Sequence, residues 1–232
     1  MTTVRLDARP DSPRRHRGSL GDGLLFLAEA LRSWHDTGAV APSGADLVNA
    51  LLVPVTSRPD RPLSVLEVGA GTGVVTRRLV LALRPGDRLH VVEANARFVQ
   101  HLREDPVLVR HGPSVGLRLS AGRAEDLMDY QDELGRYDVI VSGLPFTNFP
   151  PVQVRQLLDL YLRLLAPGGE LTYFRYRGTT ALRALTSGPR RAAQHRAVVH
   201  LLRQFEESYG LGERTAWRNV PPARACLARK PG

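Results

Sequence analysis

Cysteine is almost absent: the 232-residue chain holds one, Cys226. A single thiol excludes an intramolecular disulfide framework and a thiolate metal cluster, and it suits a reducing compartment. The seven histidines are scattered, so no zinc-ligand spacing emerges and no metal is expected. A G-x-S-x-G elbow and a P-loop lysine are also missing, which sets aside two common hydrolase and nucleotide signatures. No apolar run approaches the length that crosses a bilayer, and no signal-peptide core opens the chain. The expected location is therefore cytoplasmic, peripheral on the inner membrane face if a membrane is involved.

What the chain has in excess is positive charge. The formal net charge is +9, nearly all of it from arginine. Basicity on this scale favours polyanionic partners, either nucleic acid or anionic lipid headgroups, although an arginine- and alanine-rich composition also arises in high-GC genomes. A hydrophobic fraction of 43% with 24% charged residues is ordinary for a soluble fold, and the length suits one domain with short extensions. Residues 1–19 place five arginines among prolines and glycine and read as a disordered basic arm. A helix follows from Asp22, with Leu24, Leu27, Leu31 and Trp34 at helical spacing. Residues 20–60 thus form either a helical lid or a membrane-surface segment, ahead of the main domain at 61–232.

The chain is organised around Glu67 to Val75, EVGAGTGVV. The apolar run Leu63 to Val68 suits a strand buried in a parallel sheet, and Val74 to Leu83 suits a helix. Between them Gly69, Gly71 and Gly73 alternate. Residues without Cβ let main chain approach a ligand, and the helix start presents free N–H groups. A dinucleotide fingerprint would place the third glycine one residue later. The carboxylate of Glu67 would repel a pyrophosphate and receive a cation instead. About twenty residues on, the strand Arg88 to Val92 ends in Glu93, where a carboxylate binding two ribose hydroxyls is expected.

This E-x-G-x-G-x-G pattern resembles the first motif of the class I S-adenosylmethionine-dependent methyltransferases. The resemblance implies an α/β, Rossmann-like fold: a seven-stranded, mostly parallel sheet with an antiparallel C-terminal edge strand and an N-terminal amphipathic helix. It implies S-adenosylmethionine as cofactor, its methionine part over Gly69, Ala70, Gly71, Thr72 and Gly73, with Glu67 anchoring the amino group through water. Glu93 and Ala94 would border the ribose. At the adenine end the family's aspartate is replaced by Arg123, so Ala124 and Glu125 are the expected contacts.

Three further stretches resemble the soluble bacterial phospholipid N-methyltransferases. They are GAVAPS ahead of the glycine motif, SGLPFTNFPP from Ser142, and WRNVPPA from Trp217. In the first, Ser43 is expected to cap the next helix and close over the cofactor. In the second, which follows the strand Tyr137 to Val141, the resemblance implies that Ser142, Gly143, Leu144 and Pro145 align the amine, with Ser142 also touching the cofactor. Gly143 stands where adenine methyltransferases carry an amide side chain. Phe146 is expected to pack on substrate beside Asn148, Tyr176 to accept an amine hydrogen, and Arg175, Arg218 and Asn219 to hold the headgroup. The expected partner is a lipid amine on an anionic membrane surface, phosphatidylethanolamine first and ornithine lipid next. An rRNA adenine dimethylase-like enzyme and a methyltransferase-fold binding protein without catalysis are the alternatives. The sequence does not set the oligomeric state.

Overall fold

Short aliphatic runs build the centre of a seven-stranded sheet. The structure, a computed structural model, describes residues 42–57, 60–129, 134–176, 189–217 and 222–232. The basic arm, the helix from Asp22, Arg218 and Asn219 lie outside the described residues. The strands are β1 (Ser64–Val68), β2 (Arg88–Glu93), β3 (Leu117–Ala121), β4 (Tyr137–Ser142), β5 (Leu165–Tyr176), β6 (Gly210–Ala216) and β7 (Ala223–Arg229). Their order is β3-β2-β1-β4-β5-β7-β6. The first five run parallel, and β7 is antiparallel to both β5 and β6. The fold class is the one expected from the sequence. The C-terminal strand is antiparallel and lies one in from the edge, which β6 forms.

Seven helices are described: α1 (Pro42–Leu51), α2 (Val53–Thr56), α3 (Val74–Ala82), α4 (Ala96–Glu104), α5 (Pro106–His111), α6 (Pro151–Leu164) and α7 (Pro189–Tyr209). Period-two alternation sends strand side chains to two cores. Leu66, Ile140, Leu171 and Tyr173 meet α6 and α7 on one face. Val65, Val139 and Val141 meet α1, α3 and α5 on the other. Residues 42–57, part of the segment expected as a lid or membrane-surface element, contribute Leu47, Leu51 and Val55 to that second core, and Thr172 Oγ1 donates to the Leu51 carbonyl at 2.9 Å. The helix begins at Pro42, so Ser43 lies inside its first turn rather than ahead of it as a cap. Pro54 opens α2, since a proline costs nothing where the N–H has no helical partner.

Candidate active site

The strand order reverses at β1, with β2 on one side and β4 on the other. Loops leaving adjacent strands in opposite directions open a crevice at their carboxyl ends. The register sets Glu67 level with Val91 and Val141, and Val68 level with Val92 and Ser142. The glycine turn, Glu93 and the loop after β4 therefore leave the sheet at one height.

The glycine turn is held by main chain. Gly69, Gly71 and Gly73 have φ of 77°, 55° and 82°, left-handed values that cost little only without a Cβ. The Gly69 N–H donates to the Val92 carbonyl at 2.8 Å and the Gly71 N–H to Glu93 Oε2 at 2.9 Å. The other oxygen of Glu93 accepts from the Asn95 N–H at 2.8 Å, which fixes the carboxylate and leaves each oxygen a second lone pair. Ala70 and Thr72 are buried in the turn. Arg77 on α3 donates to the Thr72 carbonyl at 3.2 Å and pairs with Asp105 at 2.7 Å. Burial alone would raise the pKa of Asp105. Its hydrogen bonds from Arg77 and from the Leu108 and Val107 amides outweigh that and hold it below the ordinary carboxylate range.

Glu67 is 1% exposed, and its Oε2 has no hydrogen-bond partner among the described residues. Burial pushes its pKa up to about 8; the Thr76 hydroxyl and Arg77 oppose the rise while the charge of Glu93 adds to it. A buried, unpartnered carboxyl oxygen is costly unless a donor arrives. The ammonium of S-adenosylmethionine is such a donor, and Glu93 offers acceptors for two ribose hydroxyls. The residues present fit the cofactor. At the adenine end Ala124 is buried, and Ala94 is exposed at the lip. Glu125 Oε1 accepts from Gln153 Nε2 at 3.2 Å and Arg123 Nη2 at 3.4 Å.

The last residue of β4, Ser142, and Phe146 in the loop after it turn their side chains inward. Ser142 is fully buried, its Oγ 3.1 Å from the Tyr161 hydroxyl, and it accepts from the Leu144 N–H at 3.4 Å. The Gly143 N–H donates to the Val68 carbonyl at 2.8 Å, and a Cβ on residue 143 would overlap the Gly69 carbonyl oxygen. A Cβ on residue 69 would fall 2.7 Å from Leu144 Cδ2. Leu144 thus covers the glycine turn, and the two loops meet main chain to main chain. The Leu144 carbonyl accepts from Phe146 N–H at 3.0 Å and the Pro145 carbonyl from Asn148 N–H at 2.8 Å. The second of these bonds, with that from the Phe149 N–H to the Phe146 carbonyl at 3.0 Å, folds Phe146–Asn148 into one 3₁₀ turn.

Two expected substrate contacts are corrected. Phe146 was expected at the substrate rim, but it is 1% exposed. Its ring packs edge-on to Tyr173 at 5.3 Å and tilted to Tyr161 at 6.4 Å, because the tight turn tips it into the core. Arg175 was expected to hold the headgroup, but its guanidinium donates to Glu206 Oε2 on α7 at 3.0 Å. Glu206 Oε1 also accepts from the Tyr173 hydroxyl at 2.7 Å. Tyr176 lies on the opposite face of β5, edge-on to Phe174 at 5.3 Å, and burial raises its pKa.

Residues 65–169 match the family described as methyltransferase domain. Over these residues the chain carries a methyltransferase domain. Solved methyltransferases share its fold. The O-methyltransferase TomG of Streptomyces achromogenes, solved with SAM, has a TM-score of 0.61 at 18% identity over 89% of each chain. The 1,6-didemethyltoxoflavin-N1-methyltransferase of Burkholderia thailandensis, solved with S-adenosylhomocysteine, also gives 0.61, at 19% identity over 96% of this chain and 94% of that one. Among curated proteins, ornithine lipid N-methyltransferase of Singulisphaera acidiphila is 29% identical over 150 residues, 64% of this chain and 74% of that one.

Within the methyltransferase domain, sequence patterns missed the Arg77–Asp105 tether of the glycine turn and the support of Glu125 by Gln153. They also missed Glu206, although it is the first carboxylate after Glu170 and the acid pair Glu206-Glu207 ending a basic run is a visible signal.

Proposed function

We propose that the domain methylates the primary amine of a membrane lipid headgroup at the cytoplasmic face of the membrane. The observation that carries this is Gly143: its Cβ position is filled by the Gly69 carbonyl, so the loop has no room for an amide side chain and offers main-chain carbonyls to the acceptor. The likeness to an ornithine lipid N-methyltransferase supports the same substrate class. It makes ornithine lipid the first headgroup to test, with phosphatidylethanolamine beside it.

The bound donor supplies an electrophilic methyl group on a sulfonium. Glu67 ionises to receive the donor's ammonium, Glu93 holds the ribose, and Leu144 closes over the turn and excludes water. The Leu144 and Pro145 carbonyls are fixed in direction by their bonds to Phe146 and Asn148. Each keeps a lone pair for an incoming amine N–H. An alkylamine has a pKa of ~10, so the acceptor gives a proton to solvent before the neutral nitrogen attacks the methyl group and the C–S bond breaks. Tyr176, with its pKa raised by burial, stays neutral near pH 7 and acts as a hydrogen-bonding group rather than as the base.

The test is incubation of the purified chain with methyl-labelled S-adenosylmethionine and separate pools of ornithine lipid, phosphatidylethanolamine and RNA. Label in a lipid extract is expected. Label confined to RNA, or to no fraction, rejects the reading.

A further inference from the structure

Charge is segregated along the chain. Between Glu170 and Glu206 there are seven arginines and no carboxylate, and none lies between Asp138 and Asp159. Folding brings the described parts of these stretches, the helices α6 and α7, together. α6 starts directly after the acceptor loop. β6 runs parallel to β5, since both are antiparallel to β7, so α7 also begins at the rim where the crevice opens and descends to the far edge. The two helices pack against each other over one core. Their upper turns expose Arg155, Arg190, Arg191 and Arg196, and Arg203 is exposed further down. The acids of α7, Glu206 and Glu207, come only at its remote end.

Helix stability does not explain this placement. Arg190 and Arg191 occupy the first turn of α7, where the macrodipole disfavours cations, and neither α6 nor α7 carries an acid in its first turn. α4 and α5 obey the usual rule, with His101, Arg103, Arg110 and His111 in their last turns. Beside the arginines Val152 is 69% exposed, directly after Pro150 and Pro151 and next to the acceptor loop.

We infer that the upper outer face of α6 and α7 docks on an anionic phospholipid bilayer, its arginines against the headgroups and Val152 at the apolar boundary. The inference rests on the aminolipid reading in one respect: the docked face is the one beside the acceptor loop, so an amine headgroup reaches the crevice without leaving the bilayer. The basic upper face, whose nearest carboxylates are Glu125 beside Gln153 and Asp159 one turn below Arg155, suits any polyanion, and the exposed valine among prolines selects a bilayer over RNA.

The experiment uses the full chain and the triple substitution Arg155→Gln, Arg190→Gln and Arg196→Gln, with the triple Glu substitution as a second variant. Each is co-sedimented with phosphatidylcholine vesicles containing or lacking phosphatidylglycerol. Each is also assayed for RNA retardation and for methylation of a short-chain aminolipid in micelles. At roughly fivefold per arginine, the Gln variant is expected to partition about a hundredfold less onto anionic vesicles and the Glu variant less still. Micellar methylation and thermal midpoint are expected to stay unchanged. Equal partitioning of wild type and both variants overturns the inference, as does a loss confined to RNA binding. If no protein methylates any aminolipid while vesicle binding still follows the three arginines, the proposed function fails and the docking face stands.

Discussion

The loops after β1 and β4 lie level with each other and are built by opposite rules. The first is shaped by left-handed glycines, with the buried carboxylates of Glu67 and Glu93 beside it. The second is shaped by side chains turned away from the crevice: Ser142 to Tyr161, Phe146 to Tyr173, and behind them the pair of Glu206 and Arg175. The loop after β1 therefore holds carboxylates on a main-chain frame, and the loop after β4 directs main-chain carbonyls from a side-chain frame.

The largest test of this contrast is Phe146→Ala. If the ring is a core anchor, the substitution should cost about 3–5 kcal/mol in a urea unfolding experiment. A cost below ~1 kcal/mol would return the ring to the rim. Glu206→Gln comes next. It leaves Arg175 and Tyr173 without their carboxylate, and because the pair is only partly shielded the expected loss is about 2 kcal/mol. Turnover should fall with donor affinity by calorimetry unchanged; an equal fall in donor affinity would mean that the two loops are not separately built.

Gly143→Ala joins the two sides. The added methyl meets main chain that cannot move cheaply, so donor affinity should drop at least tenfold, about 1.4 kcal/mol, although residue 143 belongs to the acceptor loop. Unchanged affinity would show that the loops separate freely.

Glu67→Gln is the change whose effect is most specific to pH. The native pKa of Glu67, about 8, lies above its unfolded value, so the native state holds the extra proton. The contribution is fully present below the unfolded pKa and is lost as pH rises through about 8. The Gln variant should thus be more stable than the empty wild type at pH 8 by about 4 kcal/mol. Donor binding requires the ionised carboxylate, so wild-type affinity should rise from pH 6 to 8 and the variant's should be weaker and flat. A pH-independent wild type in that window would place the donor's ammonium elsewhere.

The same contrast explains what could be read from residue order. Glu67, the three glycines and Glu93 were legible because their spacing encodes a backbone path, and a positive φ leaves its mark as glycine. The sheet was legible because buried parallel strands are continuous apolar runs. Phe146 was misplaced because a single 3₁₀ turn decides whether a ring faces in or out, and composition does not encode that choice. Arg175 and Tyr176 were assigned to one substrate, yet adjacent strand residues face opposite sides, so alternation alone could have separated them. Glu206 is 31 residues from Arg175 in the chain, and no local pattern joins them.

The contact of Gly143 with Gly69 reaches beyond the reaction itself. An engineer wishing to convert this scaffold to nucleobase methylation by grafting an asparagine or aspartate at position 143 would wedge open the donor turn with the same substitution. Acceptor preference on this scaffold can therefore change only in concert with the donor turn, or by alterations farther out along the crevice.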